Sequence, residues 1–134
     1  TLDRSSAASD VYKRQEFWRP EKNGLCIYQT NTKDDYRCGV VNMQGEIVSE
    51  AKWWLPEKLP MDDHYFSGVL LVQDPETGLY NYINERGELL TTLPISYAVD
   101  FVGALAYVVV EQDDGTTQRG YINQQGEWVY SWTE

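Results

Sequence analysis

Short apolar runs alternate with polar, glycine- and proline-bearing stretches along the whole chain. None of the runs carries a helical period. Runs of four to eight residues rich in Val, Ile, Tyr and Phe between turn signals read as strands. One polar–apolar pattern occurs three times, at 39–48, 81–90 and 120–129. In each, apolar residues lead to Asn, two polar residues follow, then Gly-Glu, then two more apolar residues. The glycines are Gly45, Gly87 and Gly126, spaced 42 and 39 residues apart. Periods near 40 indicate small supersecondary units in tandem.

The chemistry of Asn-x-x-Gly accounts for the pattern. Asn42, Asn84 and Asn123 suit the first position of a type I turn, where the side chain caps the backbone that follows. Gly45, Gly87 and Gly126 supply the positive φ that returns the chain into a second strand. The spacing predicts antiparallel pairing of 40–42 with 46–48, 82–84 with 88–90, and 121–123 with 127–129. Upstream of each turn lies an apolar run: 24–28, 66–72 and 101–108. Each run is followed by a polar loop, at 30–35, 74–78 and 112–117, the last two with strong turn signals. Every unit therefore reads as a three-stranded meander, with units at about 24–48, 66–90 and 101–130. The expected fold is all-β, a tandem array of antiparallel hairpin units arranged as a solenoid or a twisted sheet. The stretches 49–65 and 91–100 contain Pro56, Pro60 and Pro94 and read as loops or edge segments.

Composition agrees with strands: aromatic residues make up 13% of the chain, with 5 Trp and 10 Tyr. At 134 residues, one domain is expected over 16–134. Residues 1–15 are patternless and read as a disordered tail or a translated assembly scar. Net charge is −10. Residues 1–22 hold five basic and four acidic groups, which leaves 23–134 at −11. Such a body repels phosphate backbones, so nucleic acid is not an expected partner. No run approaches the roughly 20 apolar residues of a membrane span.

The repeated pattern resembles the WG repeat, a bacterial β repeat. Its order of Phe-Ser-x-Gly-Leu-Ala-x-Val, variable loop, Trp/Tyr-Gly-Tyr-Ile-Asn-x-x-Gly is met best by Phe101, Leu105, Ala106, Val108, Gly120, Tyr121, Ile122, Asn123 and Gly126. The second copy matches through Phe66, Ser67, Gly68, Tyr80, Tyr82, Ile83, Asn84 and Gly87, and the first from Gly39 to Val48. The Trp/Tyr-Gly dipeptide itself reads Cys38-Gly39, Tyr80-Asn81 and Arg119-Gly120, incomplete in all three. The resemblance implies a divergent, non-catalytic binding or scaffold module, a small array or part of a longer one. It implies a bacterial protein. The compartment stays open, with export or the cell surface favoured over the cytoplasm, and no cofactor is expected.

Candidate chemistry is sparse. His64 is the one histidine and is expected in an exposed loop beside Asp62 and Asp63, which as neighbours on an extended segment point apart. The acidic pairs Asp34-Asp35, Asp62-Asp63 and Asp113-Asp114 read as solubilising turn residues. No calcium loop, nucleophile elbow or phosphate loop is present, so neither a metal site nor an enzyme is expected. Trp53-Trp54, Tyr97, Trp128 and Trp132 are the candidate stacking surface for a glycan or protein partner. The plainer reading is that these rings cover the sheet core. Cys26 and Cys38 flank the first loop; folding back about residue 32 makes them cross-strand neighbours and a possible disulfide, or else two small buried residues.

Overall fold

The computed structural model describes residues 14–18, 20–31, 35–56, 58 and 63–134. Eleven strands form two open antiparallel sheets, and no helix occurs among the described residues. The strands are β1 (Arg14–Phe17), β2 (Cys26–Asn31), β3 (Tyr36–Val41), β4 (Ile47–Trp53), β5 (Tyr65–Phe66), β6 (Val69–Gln73), β7 (Tyr80–Asn84), β8 (Ile95–Ala98), β9 (Ala106–Glu111), β10 (Thr117–Ile122) and β11 (Trp128–Thr133). The four-stranded sheet runs β1-β2-β3-β4, and the seven-stranded sheet β11-β10-β9-β8-β7-β6-β5.

The three Asn-x-x-Gly turns form with one hydrogen-bond pattern. Asn42 Oδ1 accepts from the N–H groups of Gln44 and Glu46 at 3.0 and 2.9 Å. Asn84 accepts in the same way from Arg86 and Glu88, and Asn123 from Gln125 and Glu127. Each side-chain amide also donates to the carboxylate of the Glu that follows the glycine. The Gly45, Gly87 and Gly126 N–H groups donate to the three Asn carbonyls, with φ of +83°, +80° and +78°. The flanking residues pair as expected, Val41 with Ile47, Ile83 with Leu89, and Ile122 with Trp128. The same backbone bonds close two further turns, at 21–25 and 112–116.

Two core clusters meet at β6 and β7. Val69, Leu71 and Tyr82 face one cluster with Ile95, Phe101, Val108 and Ile122. Leu70, Val72 and Ile83 face the other with Trp18, Ile27, Cys38 and Val40. Burial on both faces explains why β6 reads as an unbroken Val-Leu-Leu-Val run rather than an alternating one.

Several expectations are corrected. The stretch 49–65 begins as an edge segment, one of its two expected forms, because β4 runs through Trp53 at the edge of its sheet. The stretch 91–100 contains β8, whose Ile95 follows Pro94 directly; a proline just ahead of a strand costs it no ladder bond. The boundary placed at residue 15 falls inside β1, which pairs Arg14–Phe17 with Tyr28–Asn31; residues 1–13 lie outside the described residues. The run 66–72 is broken by a tight turn at Ser67 and Gly68, with φ of +55° and +81°.

The cysteine expectation fails on register. Cys26 stands opposite Val41, and Cys38 opposite Gln29. The register pairs Cys26 three residues beyond the partner expected, Val41 in place of Cys38. This offset puts the two side chains on opposite faces of the ladder, where no disulfide can form without moving the backbone. Both thiols are free. Burial pushes the Cys38 thiol up to about 12, and burial with the nearby Glu21 raises Cys26. Mass spectrometry without reductant is expected to return two thiols, with Cys38 resisting iodoacetamide at pH 8, where only about 1 in 10,000 is ionised. A mass lower by the two hydrogens of a disulfide would contradict the register.

Candidate functional site

Strand parity builds one exposed aromatic face. On β9, β10 and β11 the register sets Tyr107 beside Tyr121 and Tyr121 beside Tyr130. The next row on the same face runs Tyr97, Val109, Arg119, Trp132. The opposite face of these strands carries Ala106, Val108 and Ile122 into the core. Tyr130 is 63% exposed, Tyr97 46%, and Tyr121 and Trp132 38% each.

The face is held by ring contacts and one cation. Tyr107 and Tyr121 meet edge-on at 5.8 Å, and Tyr130 and Trp132 lie 5.7 Å apart at 46°. Arg119 Nη1 donates to the Tyr107 hydroxyl at 3.2 Å, and its Nε donates to Glu134 at 2.7 Å. These two partners push the guanidinium pKa up, so the charge on the face is permanent. Exposed Tyr, Trp and Arg together are the residue types that dominate protein contact surfaces.

The five residues expected to form a stacking surface are dispersed. Trp132 and Tyr97 lie on this face. Trp128 packs against the first core cluster, because the bulge between Tyr121 and Ile122 sets it opposite Ile122. Trp53 packs on the second cluster and donates its indole N–H to Ser49. Trp54 pairs with Gln73 and donates to Asp35. Tyr107, Arg119, Tyr121 and Tyr130 were not among the sequence candidates. The signal for them is the period-two spacing Tyr107-x-Val109, Arg119-x-Tyr121 and Tyr130-x-Trp132, together with the turn at Asn123.

Concave regions also lie away from this face. Trp53, Leu79, Tyr80, Leu89 and Pro94 line a shallow groove of about 310 Å3. Glu21, Lys22, Asp63, Ser67 and Glu85 line another of about 350 Å3. Beside it the buried Tyr65 hydroxyl has no hydrogen-bond partner, and burial with Glu21 and Glu85 raises its pKa. Among the described residues no three His, Cys, Asp or Glu side chains converge for a metal ion.

His64 departs from expectation. It is fully buried, its ring tilted at 48° against Trp18 at 5.0 Å, with Nδ1 2.6 Å from Glu21 Oε2. The carboxyl pairs remain in turns where described. Asp35 accepts from Tyr36 N–H and pairs with Arg37, whose guanidinium holds its carboxyl low; Asp114 is held low by the Thr116 hydroxyl. Asp34 and Asp62 lie outside the described residues.

No family model matches this chain, and neither do any curated protein or solved structure.

Proposed function

We propose that the chain is a non-catalytic interaction or scaffold module made of three units of one hairpin pattern, and that it engages a protein or cell-surface partner through the aromatic face of the third unit. One observation carries the modular reading. A Cβ built on Gly87 would lie 2.3 Å from the Val48 carbonyl oxygen, and one built on Gly126 would lie 2.6 Å from that of Leu90. Val48 stands three residues after Gly45, and Leu90 three residues after Gly87. Each turn is thus seated on the corresponding backbone of the preceding unit. Stacked units of this kind present extended surfaces rather than deep pockets. The WG-repeat resemblance points the same way.

A carbohydrate-binding module using Trp132 and Tyr97 is the second reading. It has less support, because sugar stacking favours a flat platform. The ring pairs here are tilted, at 46° for Tyr130 and Trp132 and 63° for Tyr80 and Tyr97.

The test is retention of partners from extracts of the producing cells, with the doubly substituted Tyr130→Ser/Trp132→Ser chain as comparison. Truncating central aromatic anchors typically costs about 2 kcal/mol or more each, so retention should fall by at least roughly tenfold. Equal retention by both chains would remove the aromatic face from the proposal. Glycan-competed retention would favour the second reading.

A further inference from the structure

The aromatic face is graded in charge from one end to the other. It is centred on β9 and β10, strands paired along both edges, so it does not depend on a free edge. Alternation puts Tyr107, Val109 and Glu111 of β9 on it, opposite Tyr121, Arg119 and Thr117 of β10. At one end Tyr107 and Tyr121 meet edge-on at 62°. At the other stands Glu111, exposed and without an ion pair among the described residues. Arg119, between the two, is already paired with Glu134 at 2.7 Å. Beyond Glu111 the turn at 112–116 adds Asp113 and Asp114. From residue 101 on, Arg119 is the one basic residue, against Glu111, Asp113, Asp114, Glu127 and Glu134.

We infer that this face takes an extended, proline-rich segment of a protein partner, with a lysine or arginine of that segment set over Glu111. The inference rests on reading the face as an interaction surface, and names the chemistry of its partner. Charge supplies the first half of the argument. Exposed aromatic rings alone accept many apolar segments. The acidic end of the face favours those that carry a cation and repels those that carry a carboxylate or a phosphate.

Shape supplies the second half. Tyr107 and Glu111 lie four residues apart on one strand, a distance of about 14 Å. A polyproline II segment rises about 3.1 Å per residue, so an apolar residue on the tyrosines and a cation roughly four positions away reach both ends at once. Such a segment is extended before it binds, so little ordering entropy opposes a shallow contact. The inclined rings fit it as well. At 62° for Tyr107 and Tyr121 and 46° for Tyr130 and Trp132, they form ridges rather than one plane, and ridged aromatic surfaces are what prolyl rings seat against. The footprint is below the roughly 1,200 Å2 of a stable interface, so the complex should be transient, with a dissociation constant on the order of 100 μM.

Fluorescence polarisation of the whole chain against a labelled peptide of about ten residues, prolines and leucines followed by two arginines, tests this. Binding is expected at about 0.05 M salt and should weaken several-fold at about 0.5 M. The same peptide with glutamate in place of arginine should bind about tenfold more weakly or worse. Glu111→Lys should weaken the arginine peptide by about tenfold. Glu76→Lys, an equal change of net charge on the exposed loop at 74–78, should alter it by less than about twofold. No binding up to about 1 mM overturns the assignment. So does equal binding of the two peptides, or equal weakening by Glu111→Lys and Glu76→Lys. The wider reading is judged separately, by the Tyr130→Ser/Trp132→Ser comparison. A protein whose retention needs those rings but ignores Glu111→Lys would overturn the basic segment and leave the aromatic face standing.

Discussion

Replacing Gly87 by alanine should lower the unfolding free energy by about 3 kcal/mol, while Gly115→Ala should cost about 1 kcal/mol. The two glycines have nearly the same backbone conformation, φ of +80° and +88°. Both substitutions therefore incur a similar left-handed penalty of about 1–2 kcal/mol and a similar entropic change in the unfolded chain. They differ in what the new methyl meets. At Gly115 nothing lies within 4 Å. At Gly87 the methyl would sit 2.3 Å from the Val48 carbonyl oxygen and 3.2 Å from its carbon. That neighbour is backbone in β4, held between Ile47 and Ser49, which pair with Val41 and Val40, so it cannot swing aside as a side chain would. The difference between the variants, about 2 kcal/mol, isolates the seating of the turn at Gly87 on the backbone of β4. Gly126→Ala, whose methyl would meet Leu90 at 2.6 Å, should resemble Gly87→Ala. Urea unfolding of the three variants decides the matter. Equal costs at Gly87 and Gly115 would mean that the close approach of this turn to β4 is not part of what stabilises the fold.

The parts of this structure legible in the sequence are those whose cause is local. Asn42, Asn84 and Asn123 satisfy their own turns within five residues, so the turn chemistry and the positive φ of the glycines are fixed by neighbours. The doubly buried β6 is visible as a continuous apolar run. Features set by distant pairing were hidden. β1 forms because Arg14–Phe17 finds the edge of β2, which nothing in its own composition announces. β8 begins at the residue after Pro94, and a proline read as a breaker concealed the strand behind it. The cysteine partners depended on the register of β2 on β3, and an odd shift there, three residues here, changes the face. The aromatic face was missed in the same way. Residue type alone points to Trp53 and Trp128, which the core takes, whereas strand parity sets Tyr107, Tyr121 and Tyr130 side by side.

Glu21→Ala is expected to be the most damaging single truncation, at about 3–5 kcal/mol. The Glu21 carboxylate is 5% exposed and is shared between three groups of a segment more than 40 residues away. One oxygen accepts the His64 and Tyr65 backbone N–H groups at 3.0 and 3.3 Å; the other lies 2.6 Å from His64 Nδ1. Truncation leaves two backbone donors and a ring nitrogen of a fully buried histidine without that carboxylate. An unsatisfied buried donor costs about 1–3 kcal/mol. Glu21→Gln keeps one acceptor oxygen and nearly the same volume, so it should cost about half as much. The damage should also be local before it is global. The carboxylate ties the turn at 21–25 to the start of β5, so amide exchange in Glu21→Ala should rise first at His64, Tyr65 and the paired residues of β1 and β2. If Glu21→Ala costs less than about 1 kcal/mol, the groups it serves find replacements, and the link between the two sheets at this point is weaker than its geometry implies.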